Sequence, residues 1–366
     1  MRRKRIVTIS IVTVLFVLLT IAAWGKQSDE YSYSERRYLA QFPELSVETI
    51  VNGEFMSEFE SYAQDQFPLR ETFRWLKTQV VYRVFGQKDN NGIYVAEGHV
   101  SKLEYPLNEK MLEYAANKFE SVYETYVKGK TEEVYFSIIP DKNYLLAEVK
   151  GYLAMDYDLL FSVMREKTIY MKYVDIVDTL SLEDYYYTDT HWRQENLLET
   201  AKVLAEGLGV SLNTEYQEKK LENDFYGVYF GQSVLKLEPD KIVYLSNEIL
   251  ETCTVTCYDS GVAEQIPLYD MEKAEGKDAY EMFLSGTRAV VKIENPMAET
   301  EKKLIVFRDS FANSLIPLLM EGYKEIVLID LRYIDESKIG EFVNFDGAEV
   351  LFLYSTLLLN NSLALK

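Results

Sequence analysis

LIVFRDSFANSLIPLL, residues 304–319, decides how this chain is built. Leu304-Ile305-Val306-Phe307 is a continuous apolar run, as a strand buried on both faces of a parallel sheet requires. Arg308-Asp309-Ser310 is a sharp polar turn, and Phe311 to Gly322 then reads as a helix. A strand passing directly into a helix is the repeating unit of a parallel sheet covered on both sides. The rhythm continues downstream, with a strand at 325–329, a helix at 335–343 and a last strand at 350–354.

Upstream, Val134 to Ile139 is a second uninterrupted apolar run, stopped by Pro140-Asp141-Lys142. Residues 107–126 predict an amphipathic helix, 157–166 another, and 173–177 a strand. Asn196 to Gly209 predicts a helix closed by its terminal glycine. Asn91-Gly92 marks a turn before the short strand Ile93 to Val95. Residues 211–300 carry short β-rich pieces, among them 241–245 and 289–293, and read as an insertion into the α/β domain.

The amino terminus is of a different kind. Arg2-Arg3-Lys4-Arg5 is followed by Ile6 to Trp24, 19 residues without a charge, close to the ~20 that span a bilayer as a helix. Positive charge stays on the cytoplasmic side, which puts the rest of the chain outside. A cleaved signal peptide, and hence a secreted protein, is the alternative; Ala23-Trp24-Gly25 is a poor cleavage site. The expected organisation is an anchor or signal at 1–25, a tether at 26–46, and an α/β domain at 47–366 with its β-rich insertion at about 211–300. Within that domain, 47–85 predicts helix broken at Pro68.

Composition narrows the function. A formal net charge of −20 repels nucleic acid and anionic lipid. The 29 tyrosines suit glycan contact, though half-buried packing explains most of them. Cys253 and Cys257 lie four apart; in one straight strand that is ~13 Å, too far for a disulfide without a bend. No metal or organic cofactor is indicated.

Only two histidines exist, His99 and His191. His99 has no acidic neighbour to orient it. His191 lies in Asp189-Thr190-His191-Trp192, where a carboxylate two residues upstream can hold the imidazole and stabilise its cation. The plainer alternative makes Asp189 or Thr190 a helix cap. Ser310 lies where ligand sites of α/β sheets are found, at the carboxyl end of a strand, and needs a base such as His191. Arg332 and Lys142 follow other strands and are candidate substrate contacts, as is Trp192 by stacking. Arg332 has a simpler role as a partner of Asp330 or Asp335.

The TDTHW and RDSF segments resemble the DHHW family, related to the SGNH-hydrolase-like proteins of alginate O-acetylation. DQFPLR from Asp65, NGIYV from Asn91, IIPDKNYLLAE from Ile138, FYG from Phe225 and IDLRY from Ile329 fit as well. The resemblance implies a three-layer α/β/α fold with a mostly parallel sheet. It further implies Ser310 as nucleophile, His191 as general base and Asp189 as its orienting acid, with backbone N–H groups near Ser310 binding the oxyanion and Asn313 a candidate side-chain donor to it. The motif that names the family has a second His where this chain has Thr190, and SGNH proteins usually have Gly where it has Arg308.

The activity so implied is O-acetyl transfer to a cell-surface polysaccharide outside the membrane, with acetyl groups delivered by a membrane-embedded partner. A carbohydrate esterase with the same triad, and a non-catalytic glycan-binding or assembly protein, are the alternatives.

Overall fold

The computed structural model describes residues 2–32, 34, 35, 37–235, 237–259 and 261–366. The chain divides into two compact units: Met1–Asn91 with Phe230–Lys236, and Gly92–Tyr229 with Leu237–Lys366. Residues 47–91, read from sequence as part of the α/β domain, thus fall in the first unit.

That first unit is helical. Helix α1 (Arg2–Gly25) is long and apolar enough to cross a membrane. Helices α2 (Val47–Val51), α3 (Glu54–Asp65) and α4 (Arg70–Gln79) follow, with the break at Pro68 where the sequence puts it. Arg37 grips Asp65 through Nη1 at 2.8 Å, and Arg70 pairs with Glu35 at 2.7 Å. Phe42 packs edge-on against Phe55, Phe59 and Tyr62.

The second unit is built on an eight-stranded sheet. Its strands are β1 (Val134–Ile139), β2 (Lys172–Tyr173), β3 (Thr254–Cys257), β4 (Glu264–Ile266), β5 (Val290–Glu294), β6 (Lys303–Arg308), β7 (Glu325–Ile329) and β8 (Glu349–Ser355). Their spatial order is β4-β3-β5-β7-β6-β8-β1-β2. From β7 to β2 every pairing is parallel; β5, β3 and β4 extend the sheet antiparallel. The region read as an insertion therefore supplies three strands of the main sheet. Its strand at 241–245 is realised as Val243–Ser246, in a separate hairpin with Gln217–Lys220.

The two faces are read off β6. Leu304 and Val306 join a cluster with Ala201 and Leu204 of helix α8 (Leu198–Gly207) and with Leu315 and Leu319. Ile305 and Phe307 point the other way, to Leu112 and Phe119 of α5 (Glu109–Val122) and Leu160 of α7 (Tyr157–Lys167). Successive residues of one strand fill opposite layers, so a fully apolar run is required. This is the expected three-layer α/β/α architecture.

Several elements are shorter than the sequence predicts: the helix at 335–343 is a 3-10 segment, Glu336–Glu341, and α8 loses two residues at each end. The strand expected at 173–177 ends at Tyr173, and its last residue opens the 3-10 turn Val177–Thr179. The helix expected from Phe311 is α-helical only over Ala312–Leu315 and continues as a 3-10 helix, Ile316–Gly322, around Pro317, which has no N–H to give.

Candidate active site

The carboxyl ends of the parallel strands form one edge, where sites in such sheets collect. β6 ends there in Arg308, and Asp309 and Ser310 follow. Asp309 pins the turn: its carboxylate accepts the N–H of Phe311 at 3.1 Å and the N–H of Ser355, at the end of β8, at 2.8 Å. Ser310 is left partly exposed between buried neighbours. The Ala312 N–H donates to the Asp309 carbonyl and the Asn313 N–H to the Ser310 carbonyl. The N–H groups after Ser310, expected as oxyanion donors, are therefore engaged. The N–H of Ser310 itself has no acceptor among the described residues.

The His191 segment approaches as a tight loop. Tyr185 and Trp192 pair as an isolated antiparallel bridge, and the Tyr186 N–H donates to the His191 carbonyl at 3.1 Å. Helix α8 begins only at Leu198, so Asp189 and Thr190 cap nothing. Asp189 Oδ1 accepts the His191 N–H at 3.0 Å and lies 2.6 Å from Nδ1. His191 Nε2 lies 2.9 Å from Ser310 Oγ. An ionised carboxylate only accepts, so Nδ1 carries the ring proton and Nε2 accepts from the serine hydroxyl. A carboxylate, an imidazole and a hydroxyl stand in one line of hydrogen bonds, the arrangement that makes a serine nucleophilic.

Several further residues position this line; of these Gly227 closes the FYG segment, while Asp240 and Tyr280 carry no signal in the sequence. Asp240, fully buried, accepts the N–H groups of Tyr187 and Thr188 at 2.8 Å each, the Thr188 hydroxyl at 2.6 Å and an Arg193 N–H at 3.1 Å. Gly227 donates its N–H to Thr188 Oγ1 at 2.8 Å, and the next N–H, of Val228, goes to Asp189 Oδ2 at 2.8 Å. A Cβ on residue 227 would fall well inside contact distance of the Asp189 main chain. Tyr280 lies flat on the imidazole, centroids 3.9 Å apart and planes 9° apart. Its hydroxyl reaches Ser314 Oγ at 2.9 Å and the Ser310 carbonyl at 3.3 Å. That face-on π contact suits a cation forming on His191.

Trp192 is fully buried, not an exposed stacking platform. Its indole N–H points at both the Phe311 carbonyl and Ser314 Oγ, 3.0 Å each, tying the histidine segment to the serine segment. Trp192→Phe keeps an aromatic ring but removes the N–H that the two acceptors share. We expect it to cost about 1–3 kcal/mol in denaturant unfolding and to lower kcat by loosening the His191–Ser310 contact.

The other expected substrate contacts are also corrected. Asn313 is buried and its amide donates to the Gly286 carbonyl. Arg332 is folded onto Asp330 through Nε at 2.8 Å and Nη2 at 2.6 Å. Arg308 is fully buried, with Nη1 on the same Asp330. Thr190 receives the Tyr229 hydroxyl at 3.3 Å. His99 is buried against Tyr187 with Nδ1 at the Glu97 carbonyl. Cys253 and Cys257 are free thiols, Cys257 at the end of β3 and Cys253 one residue before it. Among the described residues, no three His, Cys, Asp or Glu side chains are grouped to hold a metal.

Lys142 is the sharpest correction. It begins helix α6 (Lys142–Lys150), yet its side chain is buried and Nζ donates to the carbonyls of Val100 at 2.5 Å and Tyr186 at 2.9 Å. It braces the loop behind Asp189 and cannot reach a substrate. Burial pushes its ammonium down to about 7, against the pull of Asp189 and Asp240. The unfolded chain holds that proton up to about 10.4, so between the two values the unfolded state binds more protons and stability rises with pH. Lys142→Met should flatten the dependence. The wild-type-minus-variant unfolding free energy should grow by roughly 2 kcal/mol from pH 7 to 9, as read by urea titration.

No protein-family model matches this sequence, and no curated protein matches it. Solved structures do resemble it. The crystal structure of a DHHW family protein from Eubacterium siraeum matches 75% of this chain and 94% of its own, with a TM-score of 0.60 at 23% identity. Bacillus cereus PatB1 matches 74% of this chain and 97% of its own, with a TM-score of 0.57 at 18% identity. A second PatB1 structure, carrying a sulfonyl adduct, gives 0.56 at 19% identity over 73% and 95%. At these identities the likeness is one of fold, and it is the DHHW-like fold that the motifs imply.

Proposed function

We propose that this chain, with its DHHW-like fold, is an extracytoplasmic O-acetyltransferase of a cell-surface polysaccharide, anchored by α1 and working through an acyl-enzyme on Ser310. The observation that carries the reading is the unbroken line Asp189–His191–Ser310, at 2.6 and 2.9 Å. Its members come from segments 119 residues apart, and strand or helix formation alone does not require them to meet.

In this mechanism Ser310 Oγ attacks the carbonyl carbon of an acetyl donor while its proton passes to His191 Nε2. Asp189 and the face of Tyr280 stabilise the imidazolium. The Ser310 N–H donates to the oxygen that becomes negative. The tetrahedral adduct collapses, the donor's leaving group takes the proton from Nε2, and acetyl-Ser310 remains. A sugar hydroxyl then loses its proton to Nε2 and attacks the acetyl carbon; the adduct expels Ser310 Oγ, which takes that proton back from Nε2, leaving an O-acetyl sugar and free Ser310. Acetyl groups made in the cytoplasm need a membrane-embedded carrier to reach Ser310. The acidic character of the chain favours a neutral glycan over a polyanionic one.

Incubating the protein with p-nitrophenyl acetate and neutral oligosaccharides separates transfer from hydrolysis. The reading predicts O-acetylated oligosaccharide in excess over free acetate. Free acetate as the sole product, whatever glycan is added, would assign a carbohydrate esterase instead.

A further inference from the structure

The first unit exposes apolar surface to a degree the second does not. Among the described residues, 14 large apolar side chains are exposed between Phe42 and Phe85, against 10 between Gly92 and Lys366. The surface is ordered. Phe55, Met56, Phe59, Tyr62 and Ala63 fall on one stripe of α3, with Ser57, Glu58 and Ser61 opposite, yet Asp65 is the only buried residue of that helix. Leu69, Phe73 and Leu76 form a matching exposed stripe along α4. An amphipathic helix without a protein core beneath its apolar face is the form that lies in a membrane interface.

Two further observations name the occupant. The outer end of α1 and the α3 face share one apolar cleft of about 520 Å³, lined by Phe16, Leu19 and Trp24 on one side and Phe42, Phe59 and Tyr62 on the other. Phe16 and Leu19 lie roughly 14 and 9 Å along the axis from Gly25. With α1 across the bilayer, that is within the outer leaflet, whose hydrocarbon half is about 15 Å deep. Side chains sharing a cleft with Phe16 are then at lipid depth. Charge is divided in the same sense. Outside α1 the first unit holds 9 Lys and Arg against 11 Asp and Glu, and the second unit 26 against 48, so nearly all of the acidic excess that opposes contact with an anionic membrane is in the second unit.

We propose that the apolar faces of α3 and α4 dock on the outer leaflet of the bilayer that α1 spans, seating the first unit in the lipid interface. The proposal rests on the anchor reading of α1. α3 carries no Lys or Arg, and Arg70 and Arg74 of α4 are paired with Glu35 and Glu71, so the docking is driven by apolar burial and needs no anionic lipid.

The test uses the full chain in phosphatidylcholine vesicles. With Cys253 and Cys257 changed to Ala, single nitroxide labels are placed by Val14→Cys in α1, Met56→Cys in α3, Leu76→Cys in α4 and Ile169→Cys in the second unit. Collisions with oxygen, which concentrates in lipid, are compared with those of a water-soluble nickel chelate. Labels at 56 and 76 should favour oxygen severalfold, as at 14, and the label at 169 should favour nickel. An aqueous label at 14 removes the anchor and the docking with it. Lipid contact at 14 with nickel access at 56 and 76 overturns the docking alone, as does shielding from both reagents, which would mean a protein covers the face.

Discussion

Ser310→Ala is expected to reduce acetyl transfer by a factor on the order of 10^4 to 10^6 in kcat while leaving the fold intact. The hydroxyl lies at a partly exposed position and its one bond runs to His191 Nε2, so its loss empties no packed core. Thermal unfolding should therefore move little. His191→Ala alone should cost about as much, and the double variant should lose scarcely more, because residues acting as a unit are not additive. Assays of O-acetyl oligosaccharide by mass spectrometry read this directly. Losses that simply multiplied would mean that Ser310 and His191 do not act on one step.

Gly227→Ala should be nearly as damaging without touching any reacting atom. The added methyl lands on the main chain of Asp189, on the loop that Thr188 ties to Gly227 at 2.8 Å. The loop must retreat, and Asp189 draws away from His191 Nδ1. A displacement near 1 Å at a catalytic group costs about 10^2-fold, and overpacking adds about 1–3 kcal/mol of instability. We expect kcat to fall 10^2- to 10^4-fold with KM nearly unchanged, and at pH 7 both reaction with p-nitrophenyl acetate and sulfonyl labelling of Ser310 to slow together. An unchanged kcat would show that the loop tolerates the shift and that Asp189 does little.

How much of this was legible in the sequence follows from what each feature depends on. The strands Val134–Ile139 and Glu325–Ile329 appear with the bounds read from sequence, because a strand buried on both faces is apolar at nearly every position. Asp189, His191 and Ser310 were legible because the chain has so few histidines and only one lies beside a suitable carboxylate. Tyr280, Asp240 and the role of Gly227 in the FYG segment were not. Each acts through contacts about 30 to 90 residues distant, and a tyrosine stacked on imidazole looks like any of the other 28. The three antiparallel strands were read as an insertion because short strands added to a sheet edge leave no long apolar run. Lys142 and Arg332 were expected to meet a substrate because they follow strands, Trp192 because an indole stacks on a sugar, and Asn313 as an oxyanion donor implied by the resemblance; their direction is set by buried carbonyls and Asp330, which only the fold reveals.

The central claim is that Asp189 and His191 activate Ser310 for covalent chemistry. Its most direct measurement is peptide mass spectrometry of the full chain after treatment with a sulfonyl fluoride, alongside Asp189→Asn and His191→Ala. The account predicts one adduct, on the peptide containing Ser310, formed at least 100-fold more slowly in either variant. An unlabelled Ser310, or labelling at the same rate without His191, would contradict it.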